Sequence, residues 1–262
     1  MKSIAVSTFF FGGLFLAGTA VAADVHTPVA PEVATVQSQS GWSFSFTPYF
    51  WAAGLSGTTS QFGLPAIDID SSFSDIWDNL DFAAMAIGEA RYDRYGIFGD
   101  IIYSKLSNSA ATPRGIVASS VDVSSKTFIG TFGASYSVLQ SDVGHLDVVG
   151  GVRIWSVDTD LSFNGGILNG TSRSDGATWV DGVVGFRGNQ FITSQLYLAG
   201  WGLVGGGGAS VDWDIAGGLG YRFNNRVSAL IGYRALGVDY SNNGFVFDVV
   251  QQGPIIGLSM NF

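Results

Sequence analysis

The chain has no cysteine, only two histidines, and few charges: 13% of its 262 residues are Asp, Glu, Lys or Arg. Without cysteine there is no disulfide framework, no thiolate metal site and no lipidated N-terminal cysteine. With His26 and His145 alone, the imidazole that usually activates a serine or a water is scarce. Beyond the N-terminal run, no stretch of 18 or more apolar residues occurs, which excludes a helical membrane-spanning protein. Scarce charge does not mean disorder here, because apolar residues make up 47% of the chain and disordered chains lack that surface. Glycine, by contrast, is abundant. Its 37 residues are about twice ordinary usage and follow no three-residue period, so collagen is excluded. The length suits one domain of the size that all-β barrels reach as a unit.

Residues 1–22 (MKSIAVSTFFFGGLFLAGTAVA) read as a cleaved secretory signal peptide. Lys2 supplies the positive start, residues 5–17 an apolar run, and Ala20-Val21-Ala22 a small-x-small cleavage site. Cleavage removes Lys2 and leaves 11 basic against 21 acidic side chains, a net charge of about −10. That acidity argues against nucleic acid as a partner, since phosphate binding needs a basic face. Residues 23–41, with Pro28, Pro31, many small residues and no period, read as a flexible periplasmic leader. Residues 42–262 are the folded domain.

That domain alternates with period two. At the C-terminus Ile256, Leu258, Met260 and Phe262 fall on one face and Gly257, Ser259 and Asn261 on the other. Strands are expected near 42–56, 81–92, 96–106, 123–138, 146–157, 178–187, 193–204, 210–223, 227–238 and 246–262. Connections after the even-numbered strands are short. Those after odd-numbered strands are mostly long, as at 57–80, 107–122 and 158–177. The faces also differ. Val211, Trp213, Ile215, Leu219, Tyr221 and Phe223 share one, while Asp212, Asp214 and Arg222 share the other, and charge recurs on this second face in six of the ten strands. A soluble sandwich has no reason to sort its loops this way or to put charge in its core. Aromatics gather at the short-turn end, as in an interfacial girdle. The pattern predicts an all-β fold: a transmembrane antiparallel up-and-down β-barrel of about ten strands, with eight or twelve as alternatives. It places the protein in the bacterial outer membrane with both termini periplasmic.

Several motifs resemble those of a known group. The terminal Phe262, preceded by apolar residues at alternate positions, resembles the C-terminal assembly signal of bacterial outer-membrane barrels, which comprises Ile256, Leu258, Met260 and Phe262 here. Phe73-Ser74-Asp75-Ile76-Trp77-Asp78-Asn79-Leu80-Asp81 is more specific, as are the Glu89-Ala90-Arg91 to Asp100 hairpin, Gly220-Tyr221-Arg222-Phe223 and Gly232-Tyr233-Arg234. Together they resemble a group of uncharacterised proteobacterial outer-membrane β-barrel proteins over about residues 42–262. The resemblance implies fold and location, and carries no activity or site.

Following the pleat inward gives a candidate lumen charge network of Glu89, Arg91, Asp100, Arg153, Asp181, Arg187, Asp214, Arg222 and Arg234. Four acids against five bases predict mutual pairing, because unpaired ions are costly where water is scarce. Counted from the short turns, Glu89, Arg91, Asp100, Arg187 and Arg222 fall low, and Arg153, Asp181, Asp214 and Arg234 near mid-barrel. Asp214 and Arg234 flank the Asn224-Asn225 turn almost symmetrically and are expected to be cross-strand neighbours. Inward glycines leave room beside them for the arginines and for Trp155 or Trp179. Glu89 and Asp100 flank the Arg94-Tyr95 turn likewise. Two carboxylates side by side are a candidate acid–base pair, unless Arg91, Arg187 or Arg222 neutralises them. His26 falls in the leader and His145 in a short periplasmic turn, neither within reach of the outer leaflet.

Loop 57–80 carries Asp68, Asp70, Asp75 and Asp78 without a basic residue. Ser74 is expected to cap a short helix running to Leu80, with Asp75 favourable in its first turn. EF-hand spacing is absent, so the acidic loop is read as solvated and folded over the barrel mouth. Pro48 and Pro254 fall in the first and last strands, where each removes a ladder donor and weakens the closing seam. The functional expectation is a structural or surface barrel with a charge-filled lumen. The alternatives are a narrow channel for small solutes and a lipid-modifying enzyme. No cofactor and no metal site are expected. The expected partners are outer-membrane lipid and lipopolysaccharide, the barrel-assembly machinery and, for the channel alternative, small solutes.

Overall fold

The computed structural model describes residues 41–112 and 117–262. The expected signal peptide and all but the last residue of the expected leader, including His26, lie outside the described residues. The elements are β1 (Trp42–Trp51), β2 (Gly54–Ser60), β3 (Ile67–Ser71), α1 (Phe73–Asp78), β4 (Leu80–Tyr92), β5 (Tyr95–Ala111), β6 (Ser120–Ser141), β7 (Gly144–Asn164), β8 (Thr171–Phe191), β9 (Leu196–Gly207), β10 (Val211–Arg222), β11 (Val227–Asn242) and β12 (Phe245–Asn261). Ten strands form a closed antiparallel wall, β1 then β4 through β12, and β12 pairs back to β1. The expected barrel and strand count are therefore present, with β2 and β3 as two additional strands.

The outer face explains why this sheet closes on itself. From the end bearing the termini, exposed side chains run Tyr95, Ile97 and Ile101 on β5, Val148 and Val152 on β7, and Tyr221, Leu219 and Ile215 on β10. A continuous apolar band of this kind is stable only against lipid, and a closed wall leaves no unpaired edge within it. At the terminal end Trp42 packs on Tyr92 at 5.4 Å and Tyr95 on Tyr136 at 5.2 Å, which builds the expected girdle. Turns at this end are short, as at Asp93-Arg94, where Asp93 takes a left-handed φ of 52°. Glycine opposite an aromatic ring recurs in the wall. Gly220 pairs with Tyr197 and Gly237 with Trp213, and each ring lies so close over the glycine that a Cβ would meet it at 2.0 and 2.3 Å.

The opposite end departs from expectation. Segments 107–122 and 158–177 are largely strand rather than loop. β5, β6, β7 and β8 run for 17, 22, 21 and 21 residues, whereas crossing a bilayer takes about 9–11. Their far halves stand as a four-stranded sheet beyond the apolar band, rich in Ser, Thr, Asn and Asp. The outer-face pairs Lys105–Asp81 (2.9 Å) and Lys126–Asp160 (3.3 Å) mark where the band ends.

The first long loop holds the hairpin β2–β3 as well as the helix. The cap of α1 lies two residues before the expected one: Ser72, not Ser74, is the N-cap, and the helix ends at Asp78. Asp75 completes a capping box with Ser72, whose hydroxyl and amide hold the Asp75 carboxyl below its ordinary value. The hairpin tip turns over the mouth of the barrel, where the Phe62 amide donates to the Asp175 carboxylate on β8.

Pro48 marks a discontinuity in the wall. β1 pairs with β4 from Trp42↔Tyr92 only as far as Pro48↔Ala86. Beyond that point β12 is shared, first with β1 to Trp51↔Ile255 and then with β2 from Gly54↔Gln252. Residues 80–85 of β4 consequently have no strand on that side among the described residues. α1 lies against this break, with Phe73 and Trp77 edge-on to Phe50 at 5.8 and 5.7 Å. The β1–β12 ladder also skips Thr47 and Pro48, whereas near Pro254 the seam holds, its carbonyl accepting from the Ala52 amide at 2.9 Å. Amides of residues 80–85 that point toward the break are expected to exchange about tenfold or more faster than mid-strand amides of β6 and β7. Equal protection, measured by hydrogen exchange with mass spectrometry, would show the wall to be continuous there.

Candidate functional site

The lumen holds three layers. Nearest the termini is an open vestibule of about 450 Å³. Alternation on β4 and β7 turns Glu89, Arg91, His145 and Asp147 to this side. Arg91 bonds Glu89 at 2.8 Å, Asp147 at 2.7 and 3.0 Å, and the Ser137 hydroxyl at 2.7 Å. Ser137 donates in turn to Asp147 at 2.7 Å. Arg187 of β8 takes the other Glu89 oxygen at 2.5 Å and lies over the Phe98 ring at 5.0 Å. His145 is not in a turn but is the second residue of β7, with Nε2 3.2 Å from the Arg91 guanidinium.

The middle layer is charged and buried. Arg234 of β11, 1% exposed, bonds Asp214 at 2.8 and 3.1 Å, Asp100 at 2.8 Å and the Tyr49 hydroxyl at 2.9 Å. Tyr49 donates to Asp100 at 2.7 Å. Arg153 of β7, fully buried, bonds Asp212 at 2.5 Å, Asp214 at 2.8 Å and Thr131 at 2.8 Å. The indoles of Trp155 and Trp201 donate to Asp212 and Asp214 at 2.9 and 3.0 Å. The Arg234 guanidinium also lies 5.2 Å from the ring centres of both Trp51 and Trp201. Charges this deeply buried need counter-ions and hydrogen bonds, and every guanidinium nitrogen of both arginines has at least one partner.

Beyond the charges lies an apolar plug. Trp155 stacks on Trp179 at 5.6 Å and Trp179 on Tyr240 at 4.0 Å, with Phe247 packed beside both tryptophans. Ile102, Ile129, Val157, Leu236 and Val249 complete this core. A polar lumen throughout was the expectation. Its far half is instead a hydrophobic core, built where the strands outrun the bilayer and glycine gives way to large inward side chains.

The lumen candidates fall into two groups rather than one network. Glu89, Arg91 and Arg187 pair in the vestibule. Asp100, Arg153, Asp214 and Arg234 pair in the middle layer, so Asp100 sits higher than its count from the turn implies. Asp214 and Arg234 touch as diagonal rather than direct neighbours, since Asp214 pairs with Leu236 and Ala216 with Arg234. Glu89 and Asp100 are diagonal as well, with Glu89↔Phe98 and Ile87↔Asp100 in register. Both Glu89 oxygens are held by guanidiniums, and Asp100 is held by Arg234 and Tyr49. The two carboxylates are thus held in separate ion-pair groups. Asp181 is fully buried but contacts no arginine: one oxygen accepts from the Ala209 amide at 2.8 Å and the other has no partner. Arg222 lies at the vestibule rim, bonded to the Ser194 carbonyl at 2.6 Å and stacked on Phe191 at 4.2 Å. Ile256, Leu258, Met260 and Phe262 share the outward face, with Phe262 77% exposed. Two further acids join the networks: Asp212, on the charged face already read for its strand but outside the candidate set, and Asp147, which lies in phase with Arg153 and is likewise outside that set. Tyr49 carries no charge, so a search for charged inward residues does not find it, although its hydroxyl joins Asp100 to Arg234. Among the described residues, no three acidic, histidine or cysteine side chains are grouped to hold a metal.

No protein-family model and no curated protein matches the chain. Solved structures do. The outer-membrane protease OmpT of Escherichia coli is 10% identical with a TM-score of 0.54, over 86% of this chain and 98% of that one. Ail, the attachment invasion locus protein of Yersinia pestis, is 12% identical with a TM-score of 0.36, over 85% and 99%. At such identity the OmpT likeness extends to the fold and no further. The chain has the fold of the bacterial outer-membrane β-barrels.

Proposed function

We propose that the protein is an integral outer-membrane barrel of structural or surface type, closed to solutes, with both termini and the vestibule facing the periplasm. One observation carries this reading: the paired Arg153 and Arg234 layer and the tryptophan plug lie one behind the other and fill the lumen. A barrel of about this size is filled by its own side chains, whereas open channels belong to wider walls. The long sheet of β5–β8 then stands outside the cell, where polar strands suit water, and the aromatic girdle at the termini sits at the periplasmic interface. Outer-membrane lipid and lipopolysaccharide are the surroundings of the apolar band. The outward row ending in Phe262 suits recognition by the assembly machinery. The motifs around α1 and the Glu89–Asp100 hairpin support placement among the proteobacterial barrels that they resemble. The protein reconstituted in a planar bilayer is expected to show no steady single-channel current, and a sustained open level would overturn the closed-lumen reading.

A further inference from the structure

The vestibule differs from the rest of the molecule in charge. The chain carries 21 acidic and 12 basic side chains, yet this cavity is lined by Arg91, Arg187 and Arg222 against one acid, Glu89. Asp147, behind Arg91, brings the count to three guanidiniums and two carboxylates. The unmatched cation is Arg222, which has no carboxylate within 4 Å among the described residues. Its contacts are one carbonyl and one aromatic face, so most of its five donors remain available. The facing wall is chemically different. β1 contributes Ser43, Ser45 and Thr47, and β12 contributes Ser259 and Asn261, all without charge. Tyr49 and Trp201 close the inner end, so the cavity is a pocket and not a passage. Its volume of about 450 Å³ lies in the range that small molecules occupy, and low-dielectric walls concentrate the field of the free guanidinium.

We propose that this vestibule binds a small anion borne on a hydroxyl-rich body, a phosphorylated or carboxylated sugar. The anionic group meets Arg222, and the sugar hydroxyls meet the Ser43–Ser45–Thr47 wall. A phosphate or a carboxylate satisfies the same guanidinium by paired charge-assisted bonds. A neutral sugar lacks the charge that Arg222 needs, and a bare anion leaves the hydroxyl wall to water.

The test is a titration of the refolded full barrel in non-ionic detergent, followed by calorimetry. Glucose 1-phosphate, glucuronate, inorganic phosphate and glucose are the four probes. Glucose 1-phosphate or glucuronate is expected to bind about tenfold or more tightly than either phosphate or glucose; the stronger of the two identifies the anionic group. Arg222→Ala is expected to weaken that binding by about tenfold. Its melting temperature should fall only slightly, because Arg222 makes no ion pair and its contacts are one rim carbonyl and one aromatic face. Binding of glucose or phosphate equal to that of the charged sugars, binding by none of the four, or an Arg222→Ala protein that binds like wild type would each overturn the proposal. The titration is independent of conductance. An open current would remove the closed-lumen reading and leave this result standing.

Discussion

Arg234→Ala is expected to destabilise the barrel by about 3–5 kcal/mol, the cost of stranding a buried counter-ion. Asp214 would keep Arg153 and the Trp201 indole, but Asp100 would keep only the Tyr49 hydroxyl. Tyr49 itself would lose the guanidinium that it accepts from. Urea unfolding of protein in lipid vesicles reads this directly. Arg234→Lys is the informative companion, since it restores the charge but cannot span Asp214, Asp100 and Tyr49 at once. It should recover only part of the loss. An alanine variant as stable as wild type would mean that the middle layer contributes nothing net. Adding Asp100→Asn to Arg234→Ala should relieve part of the damage, because the stranded charge is then gone.

Trp155→Ala is expected to cost a similar amount, about 3–5 kcal/mol, by a different route. The indole is fully buried between the charged layer and the plug. Its removal opens a cavity beside Trp179 and Phe247 and takes the donor from Asp212. Trp155→Phe separates the two contributions: it keeps most of the packing and loses the bond, so it should fall well short of the alanine value. Neither variant is expected to conduct, because Arg153 and Arg234 still fill the layer beneath. A steady current through Trp155→Ala would place the seal in the plug alone.

The barrel itself was legible because its physics is local. Period-two alternation, a paired polar face and short turns at one end are written in each strand separately, and β10 and β12 show them plainly. The far halves of β5–β8 were not legible. In water on both faces, Ser, Thr, Asn and Asp alternate with small or branched residues, and that composition suits a loop equally well. The β2–β3 hairpin and the switch of β12 from β1 to β2 are tertiary choices, set by which edge is free once the wall has closed. The lumen charges were legible by face, and by height except for Asp100, which joins Arg234 in the middle layer. Symmetry about a turn misses the register by two residues: Asp214 meets Arg234 diagonally, and the residue directly opposite Glu89 is Phe98 and not Asp100. The apolar plug was missed for a related reason. A fixed rule of polar inside and apolar outside does not notice that Trp155, Trp179, Tyr240 and Phe247 pack together.

The break at Pro48 bears on the order of events in assembly. Apart from the closing seam, wall contacts join strands near one another in sequence, most of them across a single turn, and can form as soon as both partners exist. Closure is different, since Ser45 must find Asn261 and Trp51 must find Ile255 from opposite ends of the chain. The entropy of that loop must be lost before the contacts repay it, which makes closure the slowest step. The strand that must dock there is also the one that lets go of β4 at Pro48 and hands β12 to β2 three residues after Trp51. A chain halted before that hand-over is an open curved sheet with two bare edges, the species on this route most prone to pair with a second copy of itself.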